Sequence, residues 1–206
     1  MNTKFLQLVL ACGLCVGGSA TAQTVKLRFG SIEPPSAPIT ARALTPWAKD
    51  VSAASGGALD IEMYAGGTLG RLPAQQIKLL QDGVADIVWT SPAFTPGRFG
   101  GNEVVELPFI VQNVREGGLA LSRIYQQGLL TGYDDFKVLM IGVNSPGIIN
   151  SRTPIRTLAD LKGIRMRAVG ALRSKVVDSL GAVPVALPPT SVAESLSKGV
   201  IDATLG

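Results

Sequence analysis

Two arginines stand two residues apart in an otherwise apolar run, Gly163-Ile-Arg-Met-Arg-Ala168. In an extended strand Arg165 and Arg167 project to one face, and Ile164, Met166 and Ala168 to the other. A guanidinium held on a strand offers a planar fork of N–H donors, which meets a carboxylate with two parallel hydrogen bonds. Open α/β sheets take their ligands in the crevice beyond the carboxyl ends of the strands. Arg167 lies nearer that end. Arg165 lies further back, where solvent or a surface carboxylate satisfies it. The competing reading is a pair of ordinary solvated arginines, the usual fate of this residue.

A second set of candidates follows the apolar run Val84–Trp89. Trp89 would supply an apolar wall, and Thr90 and Ser91 small hydroxyl donors, although packing of Trp89 into the core is an equal alternative. The proline-stiffened stretch Ser31–Pro38 carries Glu33 just after another strand pattern, and Asn144-Ser-Pro-Gly147 carries Ser145. Much chemistry is excluded outright. The chain contains no histidine, which removes a Ser-His-Asp triad, a Cys-His pair and histidine-ligated metal. No Gly-x-Gly-x-x-Gly or P-loop pattern occurs, and no cofactor is expected. A net charge of +4, spread without a basic run, gives no reason to expect nucleic acid. Glu33, Glu103 and Glu106 form no paired-carboxylate motif, so a secreted α/β hydrolase working through carboxylates stands only as the alternative.

The elements that must hold these residues alternate between strand and helix. Thr24–Gly30 alternates polar and apolar residues and reads as a strand. A helix over 39–54 follows, with Pro46 expected to kink it and Ser55-Gly-Gly57 to stop it. Leu59–Tyr64 is a second strand. Gly66-Gly-Thr-Leu-Gly70 turns onto a helix over 72–81; its glycines permit a tight turn, and an anion at the helix start is the lesser alternative. Gly83 caps that helix before the strand ending at Trp89. Val114–Leu130 is an amphipathic helix with Leu119, Ile124 and Leu130 inward, and Phe136–Gly142 reads as a buried strand. Thr157 and Asp160 open a short helical turn that Gly163 ends. A helix over 171–180, a strand over 183–187, a helix capped by Thr190 or Ser191, and a strand over 200–205 complete the chain. Leu80-Gln-Asp-Gly-Val-Ala-Asp86-Ile and Leu196-Ser-Lys-Gly-Val-Ile-Asp202-Ala echo one another. Two halves built alike, or convergence on a common helix–glycine–strand device, would each produce the echo.

The first 22 residues have a charged start at Lys4, an apolar run from Phe5 to Val16, and Ala20-Thr21-Ala22. This pattern is that of a secretory signal cleaved after Ala22. Both cysteines, Cys12 and Cys15, lie inside it, so the remaining chain is held by its core; a lipoprotein site at Cys12 is the weaker alternative.

Asp160-Leu-Lys-Gly-Ile-Arg-Met-Arg167 resembles the Asp-Leu-Lys-Gly-aliphatic-x-aliphatic-Arg signature of the solute-binding proteins of tripartite ATP-independent periplasmic (TRAP) transporters. Ser55-Gly-Gly57, Gly66-Gly-Thr-Leu-Gly70 and Glu106-Leu-Pro-Phe109 match that family in the same order, the last with a structural, chain-turning role. The resemblance implies a periplasmic-binding-protein-like α/β fold of two lobes joined by a hinge, with the second lobe incomplete because the family runs well past Gly206. It divides the chain into a signal peptide at 1–22, a first lobe at 23–143 and a partial second lobe at 144–206. It implies a periplasmic monomer that binds a small organic acid and delivers it to TRAP permease subunits without chemistry on the ligand. Arg167 falls at the family's carboxylate clamp, and Glu33, Trp89, Thr90, Ser91 and Ser145 are the candidate walls. Some relatives carry a further arginine in the loop at 144–147; here Ile148 and Ile149 follow instead, which suggests a more apolar ligand body. A non-functional truncated relative is the remaining alternative.

Overall fold

A computed structural model describes residues 23–206. The expected signal sequence at 1–22, with both cysteines, lies outside the described residues. Among the described residues no helix is long and apolar enough to cross a membrane.

Strand β1 (Val25–Ser31) is central to a three-stranded parallel sheet, with β2 (Leu59–Tyr64) on one side and β3 (Ile87–Trp89) on the other. Parallel neighbours need crossovers, and helix α1 (Thr45–Ala54) supplies the first. The alternation read in β1 turns Phe29 inward, where it packs with Leu44, Ala48 and Ile61. Trp47 meets the Phe29 ring edge-on at 5.8 Å. Pro46 stands where the helix changes its hydrogen-bonding pattern. It sits in the first turn of α1, and the preceding residues Thr40–Leu44 form a π-helical turn, with the Thr45 N–H donating to the Thr40 carbonyl. The wider turn accommodates a proline that has no N–H and whose ring would clash with a carbonyl four residues back.

The second sheet has four strands in the order β4 (Ile149–Ser151), β7 (Ala203–Leu205), β5 (Arg165–Arg167) and β6 (Val183–Val185). Strand β4 runs antiparallel and the others are parallel. Met166 is fully buried with Ala168, Val177, Ala182, Ala203 and Leu161, so the two arginines face away from this core as the period-two pattern requires. Asp160 accepts hydrogen bonds from the Arg156 and Thr157 N–H groups, each 2.9 Å, and closes the turn before β5. Gly163 ends it at φ +75°.

The internal echo has a matching pair of structures beneath it. Asp86 accepts from the Arg28 main chain at 2.7 Å and from Arg28 Nε at 3.1 Å, while its own N–H donates to the Arg28 carbonyl. Asp202 treats Arg165 alike, at 2.9 Å from both nitrogens, and its N–H donates to the Arg165 carbonyl. Gly83 and Gly199 take φ +66° and +67° just before each aspartate. Each sheet therefore pins the register of a strand with the same arginine–aspartate clip.

Several sequence expectations need correction. Residues 136–148 form no strand. Phe136 packs beside Phe99, under the Arg98 guanidinium at 5.3 Å, but Leu139 and Met140 are 59% and 58% exposed. An apolar run becomes a strand only where another backbone accepts its ladder, and none does so among the described residues. Helix α3 spans Val114–Gln126, shorter than expected, and turns Gly117, Leu121 and Ile124 inward. Leu119 lies off that face and is 51% exposed. Helix α2 is confined to Gln76–Gln81, after a 3₁₀ turn at Pro73–Gln75. Helix α5 (Val192–Ser197) has no side-chain cap from Ser191; a 3₁₀ turn at Pro189–Ser191 leads into it instead.

Candidate functional site

The carboxyl ends of β5 and β6 open onto a cleft of about 510 Å³. One wall is Ala168, Val169 and Gly170 after β5, with Leu187 and Pro188 after β6. The other is Leu72, Pro73, Ala93 and Phe94 from segments associated with the first sheet. The Ser91 hydroxyl accepts from the Ala93 N–H at 3.3 Å and starts the 3₁₀ turn Pro92–Phe94 that presents this wall. Helix α4 (Ala171–Ser179) begins at the cleft, with Ala171 and Ser174 in its lining. Gly170, with φ +84°, lets the walls approach; a Cβ there would stand 3.0 Å from that of Ala93.

Arg167 is half-buried and its Nε donates to the Leu187 carbonyl at 3.1 Å. That bond ties the side chain to the cleft wall between Ala168 and Leu187, while Arg167 itself stands beside the lining. Its terminal nitrogens make no hydrogen bond or ion pair among the described residues. Burial lowers the Arg167 pKa; Glu33 opposes that shift and Arg173 adds to it. Glu33 is half-buried in the loop after β1, where burial raises its carboxyl pKa and Arg167 pulls it back down. The two groups sense each other electrostatically, yet no ion pair joins them among the described residues.

The glycine turn supports this loop. Gly66 N–H donates to the Glu33 carbonyl at 2.8 Å and Gly67 N–H to the Ser31 carbonyl at 2.9 Å. Those donors are occupied, so the turn serves as a brace for the Glu33 loop and not as an anion cradle.

The remaining candidates fall in different places. Trp89 packs against the core of the first sheet. Thr90 Oγ1 is buried without a hydrogen-bond partner among the described residues. Ser91 acts through its backbone-capping bond. Ser145 is exposed in the segment before β4 and does not line the cleft. Arg165 is held by Asp202, the surface carboxylate its position called for.

Sequence reasoning missed Arg173. Its Nε stands 3.4 Å from Glu106 Oε2, with side-chain exposures of 27% and 25%. Glu106 belongs to the 3₁₀ segment Asn102–Glu106 and Arg173 to the first turn of α4, so the pair ties that segment to the helix that begins at the cleft. Glu106 thus does more than turn the chain. A signal was available: a cation in the first turn of a helix opposes the macrodipole and needs a compensating partner.

Residues 29–206 match the family model for bacterial extracellular solute-binding protein, family 7. The chain belongs to this family. A TRAP solute-binding protein from Rhodoferax ferrireducens, solved with copurified benzoate, superposes with a TM-score of 0.83 at 37% identity, covering 89% of this chain and 57% of its own. A marine metagenome TRAP solute-binding protein, described as specific for aromatic acids and solved with 3-hydroxybenzoate, gives 0.82 at 37% identity over the same shares, 89% and 57%. The outer membrane transporter protein TsaT of Comamonas testosteroni is 28% identical over 191 residues, 91% of this chain and 56% of that protein. The family-7 chain therefore spans a little over half the length of these relatives. Its fold is the periplasmic-binding-protein-like α/β fold, with the second lobe incomplete. Family and neighbours are transport solute-binding proteins, which sets the hydrolase alternative aside.

Proposed function

We propose that this family-7 chain captures a small aromatic monocarboxylate in the bacterial periplasm and presents it to TRAP-type permease subunits. The observation that carries the reading is the half-buried Arg167 guanidinium, tethered through Nε alone, beside a cleft walled by Phe94, Leu187, Pro73 and Val169. A fork with free terminal donors suits a carboxylate. Apolar walls suit a ring and leave a second polar group unmatched. The benzoate and 3-hydroxybenzoate held by two relatives are ligands of this chemistry. Residues 23–143 and 144–206 act as the two lobes, closing on the ligand about the segment before β4. Glu33, Trp89, Thr90 and Ser91 support the clamp from the first lobe, and Ser145 lies in the hinge.

Thermal-shift assays with benzoate, 3-hydroxybenzoate, mandelate, succinate and glucose test this. A ligand at a hundred times its Kd adds about 2.7 kcal/mol, so the aromatic monocarboxylates should raise the Tm and glucose should not. Stabilisation by glucose alone would overturn the reading. Envelope localisation is tested by intact mass: cleavage after Ala22 is expected, and a lipidated Cys12 would replace it with the lipoprotein form.

A further inference from the structure

We propose that Glu106, by pairing with Arg173 beside the cleft, restricts the site to ligands with a single negative charge. The inference rests on the carboxylate reading above and deepens it. Arg167 is tied to the cleft wall at Leu187, and Arg173 lies on α4 between Ala171 and Ser174 of the lining, so two guanidiniums stand beside the cleft. Left alone, they would form a doubly cationic site suited to a dicarboxylate. Glu106 prevents this. It stands 3.4 Å from Arg173 Nε, the two side chains about three-quarters buried, so the second guanidinium is already paired with the protein's own carboxylate. Glu33 acts on Arg167 electrostatically without bonding it, and adds a second negative charge. Counting formal charges, the two arginines and two glutamates sum to zero before any ligand enters. One ligand carboxylate takes the free donors of Arg167. A second finds Arg173 already paired and two anions nearby, in an environment where burial strengthens repulsion.

The geometry also explains the placement of Arg173. Its cost at the helix start is offset only if a carboxylate sits close by. In this chain that carboxylate comes from the Glu106-Leu-Pro-Phe109 segment, so the charge state at the start of α4 is set by a residue distant in sequence.

Calorimetric titration of the full chain with benzoate and with isophthalate, the same ring bearing a second carboxylate, tests the proposal. The wild-type protein should prefer benzoate. Glu106→Gln frees the Arg173 fork, and the benzoate-to-isophthalate affinity ratio should fall about tenfold. Arg173→Gln leaves Glu106 unpaired, and the ratio should rise. Arg173→Lys keeps a cation against Glu106 and should restore the wild-type ratio. The two arginine variants carry the test even if Glu106→Gln fails to fold. A pair that merely straps the Asn102–Glu106 segment to α4 would lower both affinities in every variant and leave the ratio unchanged, which would overturn the proposal while sparing the carboxylate reading. Equal wild-type affinity for the two ligands would overturn it as well. A wild-type protein that binds neither would defeat both.

Discussion

Arg165 and Arg167 share a strand face and have opposite fates, because the face ends in different surroundings at its two ends. Arg165 meets Asp202 in a two-bond clip at 2.9 and 2.8 Å. Arg167 has one bond to a carbonyl and free donors beyond it. Arg167→Lys is therefore expected to weaken benzoate binding by about 2–5 kcal/mol, roughly 1.5 to 3.5 decades in Kd, because a lysine cannot reproduce the fork. Arg165→Lys should change affinity little. Calorimetry on both variants decides, and equal losses would contradict the assignment. The clip itself should show in acid. Arg165 lowers the Asp202 pKa from 3.8 to about 2. A carboxyl depressed in the folded state contributes stability that is complete above its unfolded pKa and is lost as pH falls through the folded one. Asp202→Asn should thus lower the Tm at pH 7, with the gap to wild type closing between about pH 4 and pH 2. A pH-independent gap would mean that the clip acts through shape alone.

At the scale of elements, the cleft depends on a backbone conformation that side chains disfavour. Gly170 precedes α4 at φ +84° and ψ 160°, a region populated almost solely by glycine. A Cβ there would also press on Ala93 at 3.0 Å. Gly170→Ala should cost about 1–3 kcal/mol in urea denaturation and weaken ligand binding in addition, because the two walls would be held apart. Loss of stability with unchanged affinity would separate the strain from the approach of the walls. The π-helical turn before α1 teaches the complementary lesson. Pro46 announced a disturbance in the helix, and it is met by a widened turn over Thr40–Leu44, in which Thr40 and Leu44 are buried.

At the scale of the whole molecule, much apolar surface stays in water. Phe109 is 98% exposed, and Leu139 and Met140 more than half so. Exposed patches of this kind bind partners or promote association. The 23–206 chain should bind a hydrophobic dye strongly at neutral pH, and the paired substitution Leu139→Ser with Met140→Ser should reduce the signal. Weak dye fluorescence from the unmodified chain would show that these side chains are covered in solution.

Local physics made a good part of this protein legible from its residues. The period-two alternation of β1 and β5, the Asp160 turn and the glycine stops at Gly83 and Gly163 each depend on a few neighbouring residues. The structure reproduces them, together with the α/β class and the separation of Arg165 from Arg167. Tertiary structure decided what depends on partners distant in the chain. The run 136–142 has strand composition but no edge to pair with. Leu119 has core chemistry but the wrong angle on α3. Trp89 could have faced either the cleft or the core, and packs on the core. Nothing in the spacing of Glu106 and Arg173 announces a bond between them. Such pairings come from the way two sheets and their loops converge on one cleft, and that convergence is set by packing over the whole chain and not by any single stretch of it.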